Sequence, residues 1–438
     1  MKKIFLAALL AALALCSGCM ATVDQMYRLP KRSEEVANLQ AAMDSAMSGL
    51  SYSAPLTGEN QQTVQTVDLD GDGILEYVVF ANGYSEKPMK ILIFSEENEH
   101  YELRSVIESN GSAFDQVEYV QLDGAPGMEI VAGYQVSDQV LRSVCVYHYD
   151  GQQTTRLVNA NYARFQTCDL DRDGLTEIVV LRPGLSETDS GVAELYGVED
   201  GLVERSNEVT MSESVDKLKR IITGRLHDGV PAVFVGSTVE SGGIITDIYA
   251  LVDGVFTNVS LSNESGTSVQ TLRNYYVYAA DIDDDGVVEL PNLITMPTME
   301  NERASERQYL IRWFAMKTDG TEVDKMYTFH NYVGGWYLRL RSDLARQISV
   351  VQRENRFDFY LTDTASGETV KLFTVDAFTG QNREELAVSE NRFCIFRDES
   401  TVYAAYLEVA SATYHISPED LIDGFRLIRQ EWKTGVTQ

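Results

Sequence analysis

The sequence predicts a mainly β protein: a β-propeller of about five recognisable four-stranded blades, followed by a small α+β domain at the C-terminus. Three observations predict this fold class. A nine-residue acidic loop occurs three times, strand-like segments flank the copies, and the units that contain them recur with a period of about 50 residues. A period of this length with several strands per unit is typical of propeller-like arrays.

The three acidic loops share one pattern, with carboxylates at positions 1, 3, 5 and 9 and glycine at position 6. Carboxylates packed into one tight turn repel each other unless a cation lies among them, and calcium suits flexible cages of oxygen ligands. The seventh position would add a backbone carbonyl. The sequence therefore predicts three calcium sites, with the ligands Asp68, Asp70, Asp72, Ile74 and Glu76; Asp169, Asp171, Asp173, Leu175 and Glu177; and Asp281, Asp283, Asp285, Val287 and Glu289.

An EF-hand shares the first ligand positions of this loop, but it needs an acidic residue at position 12 and helices on both sides. Position 12 is Val79, Val180 or Asn292 here, and short β-branched runs follow the first two loops. Such runs indicate buried strands. The sequence therefore predicts a loop that joins two strands. An acidic β-turn without metal is the alternative, and three near-identical copies favour the metal.

Two degenerate copies lie between the acidic loops. Gln121 and Ala125 replace two ligands in the copy around Asp123, and the copy around Asp228 lacks the cage, so we expect no metal at either. The five units then begin near residues 63, 116, 164, 218 and 275. Four strands can be identified in each of the first two units, with residues 308–350 as material for a sixth blade.

The acidic loop followed by β-branched residues resembles the FG-GAP/VCBS-type repeat of integrin α-chain propellers and many bacterial surface proteins. The resemblance covers about residues 60–330. It implies that the calcium loops join the first two strands of a blade, and that partners approach the opposite face, which the loops between strands 2 and 3 form, including 83–88. Pro291 departs from the pattern, because proline would remove a hydrogen bond from a central strand.

The N-terminus predicts secretion and lipid attachment. Lys2 and Lys3 precede an apolar run that is too short for a lasting transmembrane helix, which is typical of a signal peptide. Residues 17–19 resemble the bacterial lipobox, in which the cysteine, here Cys19, carries the lipid. The alternative is a plain cleaved signal. The lipid implies an extracytoplasmic protein anchored to the bacterial cell membrane or envelope.

The predicted domains are a signal peptide at 1–18, a lipid-anchored tether with an amphipathic helix at 19–55, the propeller at 56–332 and the α+β domain at 333–438. The helix begins after Ser33 and carries one apolar stripe, which we expect to dock on its own domain. Helices are also predicted at 382–386 and 417–432. Cys145 and Cys168 could pair, although free buried thiols are favoured. The stripe consists of Val36, Leu39, Met43, Met47 and Leu50.

The formal net charge is −30, and removal of residues 1–18, which include Lys2 and Lys3 but no acid, would make it −32. Such a charge excludes nucleic acid as a partner, because binding phosphates needs a cationic surface. The sequence contains no H-E-x-x-H, G-x-S-x-G, P-loop or dinucleotide motif.

The predicted function is a calcium-stabilised, membrane-anchored module that binds an envelope or extracellular protein or a glycan. The alternative is a secreted polysaccharide-active lyase or hydrolase, because carboxylate pairs leave no local motif. Exposed aromatic rings near strand ends would suit sugars or peptides, although most should pack within the sheets. The candidate rings are Tyr84, Tyr134, Tyr275, Tyr276 and Tyr278.

Overall fold

The structure is a computed structural model and describes residues 34–97, 100–136, 142–184, 190–199, 201–213, 215–240, 242–297, 308–362, 368–429 and 432. The predicted signal peptide and Cys19 lie outside these residues. The chain divides into two compact units. The first comprises Met1–Val117, Pro126–Met128 and His148–Thr155, and the second comprises Glu118–Ala125, Glu129–Tyr147 and Arg156–Gln438.

The first unit contains helix α1 (Glu34–Ala46) and the first antiparallel sheet. Met43 is buried, and Leu39, Met47 and Leu50 pack with it against apolar residues of the sheet, which confirms that the stripe docks on its own domain. The strands of this sheet are β1 (Leu50–Tyr52), β2 (Val64–Val67), β3 (Glu76–Gly83), β4 (Met89–Glu97) and β5 (His100–Ser109), in the order β1-β3-β4-β5 with β2 also paired to β3.

The next three sheets have four strands each, joined in chain order. The second consists of β6 (Ala113–Val120), β7 (Glu129–Gln135), β8 (Arg142–Tyr149) and β9 (Thr154–Tyr162). The third consists of β10 (Arg164–Cys168), β11 (Glu177–Arg182), β12 (Val192–Glu199) and β13 (Leu202–Thr210). The fourth consists of β14 (Val215–Arg225), β15 (Pro231–Val239), β16 (Ile244–Val252) and β17 (Val255–Asn258).

The last two sheets have five strands each. The fifth, in the order β18-β19-β20-β21-β27, consists of β18 (Glu289–Thr295), β19 (Tyr309–Met316), β20 (Glu322–Asn331), β21 (Trp336–Leu340) and β27 (Phe425–Leu427). The sixth, in the order β22-β23-β24-β26-β25, consists of β22 (Ile348–Arg353), β23 (Arg356–Thr362), β24 (Thr369–Thr379), β25 (Phe393–Arg397) and β26 (Thr401–Leu407). Helices α2 (Arg383–Val388), α3 (Val409–Thr413) and α4 (Pro418–Gly424) lie in the C-terminal region.

These elements confirm the predicted fold class, which is mainly β and propeller-like with a small C-terminal α+β region. The inner strands are almost fully buried, as in β11 and β15, whereas outer strands such as β13 are largely exposed or half-buried. In the second unit, apolar clusters lie between the third and fourth, fourth and fifth, and fifth and sixth sheets. Burial on both faces explains why β-branched and aromatic residues dominate these strands.

The sixth sheet differs from its predicted location. Most of residues 308–350 complete the fifth sheet, and the sixth is built from 348–407. The fifth sheet also runs across the boundary predicted between 332 and 333, because β21 pairs with β20 through Trp336 and Asn331. The apolar side chains of β21 pack against residues that precede 332 and against residues that follow 333.

The predicted helix at 417–432 is wrong in its length. Ser417 caps α4 as expected, with a reciprocal capping box to Asp420, but α4 ends at Gly424 and β27 follows. Phe425 is fully buried against Trp336, so tertiary packing overrides the helical pattern.

Pro291 lies in β18, which is the edge strand of the fifth sheet. The segment before the third acidic loop pairs with β18 through an isolated bridge between Ala280 and Glu289. Proline is tolerated at a sheet edge because the missing N–H would face away from the ladder. The third acidic loop therefore follows a bridge rather than a full first strand.

No helix within the described part of the chain is both long and apolar enough to cross a membrane. Cys145, Cys168 and Cys394 carry free thiols, so the favoured alternative to a Cys145–Cys168 pair is the one observed.

Candidate metal centres

The first two acidic loops join adjacent antiparallel strands. Loop 1 (68–76) connects β2 to β3, and loop 2 (169–177) connects β10 to β11, as the sequence predicts. Loop 3 (281–289) leads into β18 after the bridge at Ala280. All three loops therefore begin and end on paired backbone, which holds their carboxylates in fixed positions.

The glutamate at position 9 turns back into its own loop. Its Oε2 accepts the backbone N–H of position 2, at 2.8 Å for Glu76 with Leu69, 2.7 Å for Glu177 with Leu170 and 3.1 Å for Glu289 with Ile282. The same contact occurs in the degenerate copy, at 3.0 Å between Glu129 and Leu122. The contact between position 9 and position 2 is therefore a structural feature of the repeat, whether or not the loop has a full set of acidic ligands.

The aspartate at position 1 accepts backbone N–H groups with both oxygens. Asp68 accepts from Gly71 at 2.7 Å and from Gly73 at 3.0 Å. Asp169 has the same two contacts, from Arg172 at 2.6 Å and Gly174 at 3.2 Å. Asp281 accepts instead from the fifth and sixth positions, Asp285 at 3.0 Å and Gly286 at 2.7 Å.

The aspartates at positions 3 and 5 cap the remaining turn. Asp70 and Asp171 accept the N–H of position 5 at 3.2 and 3.0 Å. The fifth-position oxygens accept the N–H of position 7, that is of Ile74, Leu175 and Val287, at 2.7, 2.7 and 2.8 Å. In loops 1 and 2, the aspartates at positions 3 and 5 thus give one oxygen to the backbone, and their other oxygen remains for a ligand.

The fourth position adopts the left-handed backbone region in every loop. The φ angles are 74° at Gly71, 68° at Arg172 and 58° at Asp284, and 73° at Gly124 in the degenerate copy. A non-glycine residue rarely has this conformation. Its presence at Arg172 and Asp284 shows that the loop geometry prevails over local preference.

The structure brings three carboxylates together in each loop. Ligand oxygens lie within 4.8 Å of one another in the sets Asp68, Asp70, Glu76; Asp169, Asp171, Glu177; and Asp281, Asp283, Asp285. The other predicted carboxylates, Asp72, Asp173 and Glu289, belong to the same loops but lie outside these sets. No such set appears around Asp123 or Asp228 among the described residues.

These sets fit calcium in chemistry and in size. All donors are oxygen, which calcium prefers, and two oxygens on opposite sides of one ion bound at about 2.4 Å lie roughly 4.8 Å apart. Held without a cation, the acids repel one another. Burial raises the pKa of Glu76 to about 7, with Asp70 and Asp72 adding to the shift. Burial likewise raises the pKa of Glu177 to about 7.

Loop 3 has a different electrostatic environment. Lys325 of β20 places Nζ 2.6 Å from Asp285 and 3.8 Å from Glu289. Burial acts to raise the pKa of Asp285, but the hydrogen bonds from Lys325 and from the Val287 N–H, together with the charges of Lys325 and Arg225, outweigh it and the pKa is lowered. Glu289 is more deeply buried, and its pKa is raised to about 8. Sequence analysis missed Lys325, because only the pairing of β18 with β19, and of β19 with β20, brings it to the loop.

The candidate tyrosines divide into two groups. Tyr134 and Tyr278 are buried, and Tyr275 packs against a core cluster, as expected for most of these rings. Tyr84 is fully exposed in the β3–β4 hairpin, and Tyr276 is 60% exposed. The two exposed rings remain candidates for stacking on a ligand.

A cavity of about 580 Å³ lies in the C-terminal region. Its wall combines apolar side chains, such as Phe373 and Leu421, with the charged Arg339, Arg341 and Asp343. Arg341 pairs with Asp343.

No family model matches the chain, and no curated protein matches it. Solved structures with some similarity include a rhamnogalacturonan lyase from Bacillus licheniformis (9% identity, 73% of this chain and 91% of that one, TM-score 0.31). They also include an endo-arabinase from Bacteroides thetaiotaomicron (11%, 64% and 98%, 0.26) and a protein from Lactobacillus plantarum (12%, 72% and 85%, 0.28). These similarities are too weak to support a conclusion about function.

Proposed function

We propose that this protein is a calcium-stabilised, lipid-anchored extracytoplasmic module that binds a protein or a glycan. The observation that carries the proposal is the convergence of carboxylate oxygens in strand-to-strand loops whose backbone already fixes each acid. Such a convergence stores repulsion that a dication relieves.

The metal would act on stability rather than on a reaction. Asp68, Asp70 and Glu76 would hold an ion in loop 1, and Asp169, Asp171 and Glu177 would hold one in loop 2, with Asp72, Asp173 and the carbonyls of Ile74 and Leu175 completing the cages. Because each loop lies between paired strands, an ion there ties the end of one strand to the start of the next. Millimolar extracellular calcium suits sites of the modest affinity typical of extracellular modules.

Lipid attachment at Cys19 rests on the sequence of the N-terminus alone. Two or three acyl chains would give durable anchoring, whereas one chain binds only marginally. Cys19→Ser should release the protein from the membrane fraction, whereas Cys16→Ser, in the part that is removed, should not. An intact mass that shows Cys19 as a free thiol in the wild type would contradict the anchor.

The exposed Tyr84 ring marks a candidate contact surface for the partner. It lies in the β3–β4 hairpin, within the 83–88 segment that the resemblance assigns to the partner-facing side, and nothing covers it among the described residues. A large apolar ring that projects fully into solvent adds nothing to folding, so it is available for stacking against a sugar ring or peptide.

A binding screen of the purified chain against a glycan array and a panel of envelope proteins, with calcium and with chelator, tests the function. We expect one ligand class to bind with calcium, and Tyr84→Ala to weaken that binding at least about tenfold, since a buried aromatic anchor is often worth more than 1 kcal/mol. Tyr52→Ala, which removes a half-exposed ring of β1, is the matched control. Cleavage of a glycan during the screen would support the enzyme alternative instead, and absence of any binding would contradict the module.

A further inference from the structure

The third acidic loop contains a cation that the chain itself supplies. Lys325 lies on β20 with 18% of its side chain exposed, and its Nζ contacts Oδ2 of Asp285 at 2.6 Å. The fully buried Glu289 has its Oε1 3.8 Å from the same nitrogen, and this oxygen has no hydrogen-bond partner among the residues that the structure describes. Across the described ranges, the carboxylates of loops 1 and 2 form no ion pair with lysine or arginine.

Two further cations bind the outside of loop 3. Nη2 of Arg225 donates to the carbonyl of Asp285 at 2.5 Å, and Nε donates to that of Gly286 at 3.4 Å. Arg429 contacts Asp284 at 2.8 and 3.2 Å. Protein donors therefore occupy the fifth-position carboxylate, two backbone carbonyls and the fourth-position acid of this loop.

We propose that Lys325 is the resident cation of loop 3, so that this loop closes without metal and calcium binds only loops 1 and 2. An ammonium ion brings one positive charge and three donors to acids that would otherwise repel. To bind in loop 3, calcium would have to displace Nζ of Lys325 from Asp285. Its own charge would then lie within a few ångströms of the charge of Lys325. The calcium part of this inference rests on the proposed function; the ammonium part does not.

In the degenerate copy around Asp123, a neutral side chain of the protein takes the place of a bound cation. The side-chain amide of Gln121, at position 1, donates to the backbone carbonyl of Ala125 within its own loop, and its oxygen accepts the N–H groups of Asp123 and Gly124. The amide nitrogen of Gln121 thus supplies a hydrogen-bond donor inside a loop whose acidic copies would need a cation. The repeat can therefore close around N–H donors, and Lys325 extends this device to a fully acidic copy.

Lys325→Met tests the proposal, because it removes the charge and keeps most of the stem. Lys219→Met on β14 is the matched control, since Lys219 is exposed and forms no ion pair within the described chain. With chelator, we expect Lys325→Met to unfold at a lower temperature than Lys219→Met. In isothermal titration, we expect two calcium ions per chain for the wild type and Lys219→Met, and three for Lys325→Met.

Several outcomes would overturn the proposal: equal melting of the two variants in chelator, three ions bound by the wild type, or no ion gained by Lys325→Met. If neither the wild type nor either variant binds calcium, the proposed calcium role fails. The melting temperatures in chelator then decide by themselves whether Lys325 neutralises the loop. Should Lys325→Met fail to fold, Lys325→Met/Asp285→Asn decides: recovery of folding supports a charge role for Lys325, and failure to recover overturns it.

Discussion

Removal of calcium is expected to lower the free energy of unfolding by about 1.4 kcal/mol for each occupied loop, or about 3 kcal/mol for loops 1 and 2 together. The figure follows from an affinity of ~0.1 mM, which is typical of extracellular modules, at ~1 mM calcium. This is a large share of ordinary domain stability. Thermal or urea unfolding with calcium and with chelator measures it.

Isosteric variants measure the contribution of each loop to the calcium-dependent stability separately. Asp70→Asn and Asp171→Asn keep the oxygen that accepts the backbone N–H of position 5 but remove the charge. Each should abolish about half of the calcium increment. Asp123→Asn is the control, because Asp123 holds the same position and makes the equivalent contact with Ala125 in the copy that has no cage. A calcium increment that is absent in the wild type, or equally reduced in all three variants, would refute structural calcium.

The calcium increment should also depend on pH with a definite sign. In the metal-free protein the pKa values of Glu76 and Glu177 are raised from 4.5 to about 7, so the folded state binds more protons than the unfolded state between these values. Stability in chelator should therefore fall as pH rises from about 4.5 to 7 and then level off. With calcium the trend should reverse, because the ion needs ionised ligands. Parallel pH dependence in the two conditions would contradict metal binding at these glutamates.

The acidic loops show what sequence can predict about this site. The residues at positions 1, 3, 5 and 9 lie close along the chain, so a local pattern predicts that they converge. Three of the four converge in each loop: positions 1, 3 and 9 in loops 1 and 2, and positions 1, 3 and 5 in loop 3. Lys325 lies on another strand of the fifth sheet and has no sequence pattern that connects it to Glu289. The charge of a loop is therefore predictable from sequence, whereas the cation that balances it depends on strand pairing.

The C-terminal region shows the same division between local and long-range signals. Ser417 and Asp420 make the predicted cap, because capping depends on neighbours in sequence. The end of the helix is decided by Phe425, whose burial against Trp336 across the fifth sheet favours a strand. Likewise, a proline at 291 is unfavourable in a central strand, and only the sheet order shows that its strand lies at an edge.

Trp336→Ala is expected to destabilise the protein by about 4 kcal/mol, in the range for removal of a large buried aromatic side chain. Trp336 has no exposed surface. Its ring centroid lies 4.9 Å from that of Phe357, 5.3 Å from that of Phe425 and 5.7 Å from that of Phe329. The side chain thus packs the fifth sheet, including its last strand β27, against the sixth sheet.

Two variants control this measurement. Val333→Ala, on the same hairpin, removes methyl groups from a side chain that is 98% exposed and should change stability by less than about 0.5 kcal/mol. Trp336→Phe keeps a ring and removes an indole N–H that has no acceptor in the described part of the chain, so it should cost less stability than the alanine variant. Chemical unfolding followed by circular dichroism and by tryptophan fluorescence compares all three with the wild type.

The shape of the transition then decides between two domain boundaries. If residues 333–438 folded independently of 56–332, Trp336→Ala would lower one of two separate transitions and leave the other unchanged. The fifth sheet takes strands from both sides of that boundary, and the cluster around Trp336 contains Phe329 as well as Phe357 and Phe425. We therefore expect the alanine variant to shift the transition of the fifth and sixth sheets together. Two separated transitions, with only one of them moved, would support the predicted domain boundary at 333.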